Sequence, residues 1–164
     1  MTTASLSELK REITTLPLAQ VQELCLRLAK YKKENKELLS YLLFEAHDET
    51  RYIEGVKAEM DDLFGQLPEG TTYYTKKSLR KILRIVNRHI KYSSSKSTEI
   101  ELRVYFCKGV RNARIRLDEG TVLYNLYQQQ VKKIRATVNA LPDDLQFDYH
   151  NDLEQISIDG AATQ

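Results

Sequence analysis

An all-α fold is what this sequence predicts, and three observations carry that expectation. Apolar residues recur at steps of three and four through most of the chain, glycine and proline number only 6 and 3 in 164 residues, and the few punctuating residues fall where helices start or stop. Steps of three and four line up on one side of a helix that turns about 100° per residue, whereas a strand needs strict alternation. About eight helices joined by short links favour antiparallel helical hairpins, closed as a bundle or built as a compact helical stack. The length suits one unit with its own core, so residues 1–156 are expected to form a single helical domain and residues 157–164 a flexible C-terminal tail.

The elements follow in order. Leu6, Leu9, Ile13 and Leu16 lie behind Ser5, with Glu8 three positions on, the spacing of a capping box. Pro17 sits where a first-turn proline is tolerated, and Leu18, Val21, Leu24, Cys25 and Leu28 form the next stripe, running to about Lys33. From Asn35 onward Leu38, Leu39, Leu42, Leu43 and Ala46 are broadly apolar, which marks this helix as the most buried and as the centre of the core. A fourth helix starts near Asp48 to Thr50, carries Ile53, Val56, Met60, Leu63, Phe64 and Leu67, and is closed by Pro68, Glu69 and Gly70.

A basic helix comes next. Leu79, Ile82, Leu83, Val86 and Ile90 share about 100° of arc, and Lys77, Arg80, Lys81, Arg84, Arg88 and Lys91 cluster opposite them as a cationic ridge about four turns long. Ser93 to Ser95 break the pattern, and Thr98 with Glu101 offers a second capping box. Ile100, Leu102, Val104 and Phe106 alternate with polar partners as a strand would, while Leu102, Phe106, Val110, Ala113 and Leu117 also mark a helix face. Helix is the reading adopted, because a lone strand would leave its backbone hydrogen bonds without a partner elsewhere in the chain. Leu123, Tyr127, Val131, Ile134, Val138 and Leu141 form the last long helix, stopped by Pro142, and an acidic helix runs from Asp143 to about Ile156. No repeat of fixed period is visible.

The order LSELKREITTL, YKKENKELLSYLLF, YIEGVKAEMDDLF, KKSLRKIL and DYHNDLEQI resembles an uncharacterised family of small all-helical bacterial proteins, a domain of unknown function, over roughly residues 6–156. The resemblance implies packed helices. It brings no activity, cofactor or catalytic residue to carry over.

Charge is segregated along the chain. Residues 72–116 hold 13 basic side chains against Glu99 and Glu101, a net of +11, while residues 1–71 and 117–164 carry −4 and −5, so the total of +2 hides a basic centre between acidic ends. Such a block attracts phosphate, an acidic partner, or the acidic ends of the same chain or of another copy in a homo-oligomer. The first sixteen residues carry scattered charges, which argues against an export signal, and the longest uncharged apolar run, residues 38–44, is far short of the roughly 20 residues of a bilayer span. With Cys25 and Cys107 both on apolar stripes as reduced core thiols, a cytoplasmic protein without a membrane partner is expected.

Chemistry-bearing motifs are sparse. CxxC, HExxH and paired ExxH are absent, so no metal site is expected, and Asp148, His150 and Asp152, like Glu45, His47, Asp48 and Glu49, read better as polar helix ends. Neither a GxSxG elbow nor a Walker or GxGxxG loop occurs, and His89, at the edge of the basic helix's apolar face, reads better as a packing residue than as a base. No cofactor and no catalytic residue are expected, and the chain is read as a non-enzyme. The expected function is a helical protein-interaction module whose contact surface, Lys77, Arg80, Lys81, Arg84, Arg88 and Lys91, binds an acidic protein surface. The alternative is RNA or single-stranded DNA on the same ridge, with bases stacking on Tyr73, Tyr74, Tyr92 and Tyr105.

Overall fold

The computed structural model describes residues 2–68 and 72–158. Within them the chain forms nine α-helices and no strand: α1 (Leu6–Thr15), α2 (Leu18–Tyr31), α3 (Lys33–Ser40), α4 (Glu49–Gly65), α5 (Thr72–Ser93), α6 (Lys96–Asn112), α7 (Val122–Asn139), α8 (Asp143–Asp148) and α9 (His150–Ile156), with a π-helical turn at Tyr41–Glu45. The all-α expectation holds, and the segment with strand-like alternation is the body of α6. Where the sequence leads one to expect a single domain over residues 1–156, the contacts divide the chain into two compact units, Met1–Phe44 and Glu45–Gln164.

The first unit is α1 to α3 and the start of the π-helical turn. Ser5 caps α1 as its sequence requires: the Glu8 amide donates to Ser5 Oγ, and the Ser5 backbone N–H donates to the Glu8 carboxylate at 2.8 Å. The Ser5 backbone N–H and the Ser5 hydroxyl, both donating to it, hold the Glu8 carboxyl below its ordinary range. α2 and α3 are joined through Lys32 alone, whose extended backbone (φ −141°, ψ 149°) breaks the helix. The Asn35 side-chain amide fastens the joint by donating to the Leu28 carbonyl at 2.9 Å. None of the three helices buries a residue. This corrects the sequence reading of residues 38–46 as the central, most buried helix: Leu42, Leu43 and Phe44 are 56, 61 and 66% exposed. Cys25, expected in the core, is exposed as well.

The second unit holds the core, and α6 is its centre, touching α4, α5, α7 and α9. Ile100, Leu102, Phe106, Cys107 and Val110 on α6 are sealed from solvent, as are Met60, Leu79, Val86, Tyr127, Ile134 and Ile156 on the helices around it. Each such side chain contributes about 1.5–3 kcal/mol of transfer free energy. Being covered on several sides, α6 needs apolar residues all round rather than on one stripe, which is why its sequence also reads as a strand. Gly109 gives the closest approach: a Cβ there would overlap the Phe64 ring, with Cζ at 2.7 Å. That ring in turn lies 5.9 Å from the Phe106 ring.

Several boundaries differ from expectation. α2 stops at Tyr31, not Lys33, and α4 stops at Gly65, before Pro68; Glu69 and Gly70 lie outside the described residues. The N-cap of α6 is Ser95, whose hydroxyl accepts from the Thr98 amide at 3.3 Å, so Thr98 is not the cap of a second box with Glu101. The acidic C-terminal helix is two short ones, broken at Tyr149. Ser157, assigned to the tail, is tied down by donating to the Leu153 carbonyl and accepting from Arg135, and the tail residues 159–164 lie outside the described residues.

Candidate functional site

The basic helix is 22 residues long, about 33 Å at 1.5 Å per residue. It ends because Ser94 turns into the left-handed region (φ 56°), which reverses the chain into Ser95 and α6. Leu79, Ile82, Leu83 and Val86 are buried on the side facing the core. That anchoring fixes the opposite arc, where Lys77, Arg80, Lys81, Arg84 and Lys91 are exposed, spread over about 21 Å of helix. Among the described residues none of these five has a carboxylate within ion-pair distance. The cations therefore present an electrostatic surface that the fold leaves open.

Arg88 departs from the ridge. The helical wheel puts it at the middle of the cationic arc, yet it is half-buried, with its Nε sealed from solvent. The exposed part of the ridge is accordingly five residues rather than six. The aromatic residues divide similarly. Tyr73 and Tyr74 at the N-terminal end are exposed, their rings edge to face at 5.3 Å, with the Lys76 ammonium 5.7 Å from the Tyr73 ring centre. Tyr92 is buried against the His89 ring, and the Tyr105 hydroxyl donates to the Asp61 carboxylate at 2.8 Å, so neither is placed to receive a base. Burial and the Asp61 carboxylate push the Tyr105 hydroxyl up to about 12.

The other flagged groups satisfy one another. His89 meets the Tyr52 hydroxyl through Nδ1 at 2.8 Å and the Glu59 carboxylate through Nε2 at 3.2 Å, so both ring nitrogens serve packing between α4 and α5. In the polar knot at residues 45–49, Asp48 caps α4 by accepting from the Arg51 amide at 3.1 Å. Glu49 reaches across to accept from Ser93 and, at 2.6 Å, from Thr98. Of the second knot, Asp152 pairs with Lys108 at 2.6 Å and His150 contacts Glu154 at 3.2 Å. Among the described residues no three His, Cys, Asp or Glu side chains converge as a metal site.

One polar hub was not legible from spacing. Arg103, 6% exposed, donates through Nε to Glu99 at 2.8 Å and through Nη1 to Asn87 at 3.0 Å and Gln130 at 2.8 Å, joining α5, α6 and α7. The only sequence signal is the i,i+4 spacing of Glu99 and Arg103 on an otherwise apolar helix. Burial pushes the Cys107 thiol up to about 12 against the opposing pull of Arg103, so at neutral pH it is a packed thiol and not a nucleophile. A cleft of about 670 Å³ between the end of α4, the start of α5 and the α6–α7 loop is lined by Phe64, Leu67, Arg114, Arg116 and Asp118, with no His, Cys or Glu among the described residues that line it. No helix of the described residues is long and apolar enough to cross a membrane.

No family model matches the chain, and comparison with curated proteins and with solved structures returns no match.

Proposed function

We propose that the chain is a non-enzymatic helical interaction module that captures an acidic protein surface on the α5 ridge of Lys77, Arg80, Lys81, Arg84 and Lys91. The observation that carries this reading is the openness of those five cations, which have no carboxylate within ion-pair distance among the described residues. Like charges three and four residues apart cost a helix a few tenths of a kcal/mol per pair, a cost that an incoming row of carboxylates reverses. Association is fast and weakens with salt, because exposed charges act over a Debye length of about 8–10 Å. The earlier resemblance to a family of small bacterial all-helical proteins belongs with this proposal and adds no activity to it.

One observation favours a second reading. The exposed pair Tyr73 and Tyr74 at one end of the ridge offers faces on which unpaired bases stack, so RNA or single-stranded DNA is the alternative ligand. A pull-down from cell extract with and without nuclease separates the two, using the parent chain and the triple variant Lys77→Glu, Arg80→Glu, Arg84→Glu. Protein capture that survives nuclease and is lost in the variant supports the acidic-protein reading. Co-purified nucleic acid lost in the variant supports the alternative, and identical capture by parent and variant removes the ridge from both.

A further inference from the structure

The first unit carries a second surface that charge and shape both single out. Along the joint of α2 and α3 runs a groove of about 620 Å³ whose floor is Leu26, Ala29, Leu39, Leu43 and Phe44. Its remaining lining is Ser40 and four lysines, Lys30, Lys32, Lys33 and Lys36, with no carboxylate. Lys33 rests 3.5 Å from Glu37, while Lys30, Lys32 and Lys36 have no ion pair among the described residues. Leu26, Leu43 and Phe44 are 58, 61 and 66% exposed, and a helical hairpin of this length that buries nothing on its helices lacks the core a small fold needs. Exposed apolar area of this kind, bordered by charge, marks an interaction surface.

We infer that this groove is a docking site for an amphipathic helix of a partner protein whose apolar stripe is flanked by Asp or Glu. The concave apolar floor takes the side chains that such a helix presents at i, i+3, i+4 and i+7. The lysine collar then pairs with its flanking carboxylates and repels a basic helix, which gives the site its choice of partner. The same collar disfavours a second copy of this hairpin, since two-fold packing would set lysines against lysines. The concavity disfavours a flat lipid surface. The site shares no residue with the α5 ridge and does not depend on the function proposed for it.

The test uses the full chain and two synthetic 18-residue helical peptides with the same leucine stripe, one flanked by glutamates and one by lysines, titrated by fluorescence anisotropy. The glutamate peptide is expected to bind at least tenfold tighter than the lysine peptide. In a chain that already carries Lys77→Glu and Arg84→Glu, so that the α5 ridge does not hold the acidic peptide, the preference persists, Leu43→Glu abolishes binding of the glutamate peptide, and the triple variant Lys30→Glu, Lys33→Glu, Lys36→Glu reverses the preference. Equal affinity for the two peptides, or binding lost only in the α5 variant, overturns the assignment. So does self-association in sedimentation, or binding to vesicles of anionic lipid, if either disappears in Leu43→Glu, because a second copy or a bilayer would then be the occupant.

Discussion

Arg103 and Gln130 form a hydrogen bond at 2.8 Å between α6 and α7, with both residues almost sealed from solvent at 6 and 3% exposure. A guanidinium in that position is tolerated because Glu99 supplies the counter-charge at Nε and Asn87 and Gln130 both accept from Nη1. The network ties three helices to one side chain, so its loss strands polar atoms on each.

Arg103→Met therefore costs about 2–4 kcal/mol, somewhat below a fully buried pair because Glu99 keeps some solvent contact. Arg103→Lys also destabilises, since one ammonium lacks the planar fork that meets three acceptors. Urea unfolding gives the comparison, and a loss under about 1 kcal/mol for the Met variant would show the hub to be incidental.

At Gly109 two effects oppose each other. Alanine gains about 1 kcal/mol of helix propensity, but its Cβ collides with the half-buried Phe64 ring. Overpacking costs about 1–3 kcal/mol, so Gly109→Ala is expected to lower the midpoint of thermal unfolding, and Gly109→Ala with Phe64→Leu to recover it. A raised midpoint for the single variant would mean that the ring moves aside freely.

Burial makes the two cysteines differ. In the native chain one thiol, Cys25, reacts with a small alkylating reagent at neutral pH, and Cys107 reacts only after unfolding. Burial pushes both the Cys107 thiol and the Tyr127 hydroxyl up to about 12, and Tyr127 donates to the Ile156 carbonyl at 2.7 Å. Both are neutral acids with raised folded values, so their contribution is fully present below the ordinary 9 and 10 and is lost as the pH climbs towards 12. Stability should fall above pH 9 by at most about 1.4 kcal/mol per pH unit for each group. A flat profile in denaturant from pH 8 to 11 would contradict it.

How much of this was legible in advance depends on what covers what. Ser5 with Glu8, Asp48 and Pro142 announced helix ends through local hydrogen bonding and backbone geometry, which a sequence contains. The periodicity of Leu79 to Ile90 likewise placed the α5 cations outward. An apolar pattern, however, says that a face can be covered and not that it is. Leu38, Leu42 and Leu43 thus read as core yet lie open, while α6, with Glu99 and Arg103 answering each other inside, read as doubtful and proved central. Arg88 shows the same limit, for the wheel cannot tell which turn of a helix a neighbour walls in.

The ridge itself carries a cost that can be measured. Arg84 is flanked at i−4 and i−3 by Arg80 and Lys81 and at i+4 by Arg88, so Arg84→Glu exchanges three like-charge contacts for attractions. We expect Arg84→Glu to stabilise the chain by about 0.5–1 kcal/mol while weakening capture of the acidic partner. A loss of more than about 1 kcal/mol in urea unfolding would show that Arg84 has a structural role.

The openness of the α5 cations is tested most directly by lysine acetylation footprinting, comparing the purified chain with the chain in concentrated extract of its own cells after nuclease treatment. Lys77, Lys81 and Lys91 are expected to label readily in the purified chain and to be protected at least severalfold in extract, while the exposed Lys10 and Lys133 label equally in both. Equal labelling of the ridge lysines in the two samples would contradict capture of an acidic protein on this face.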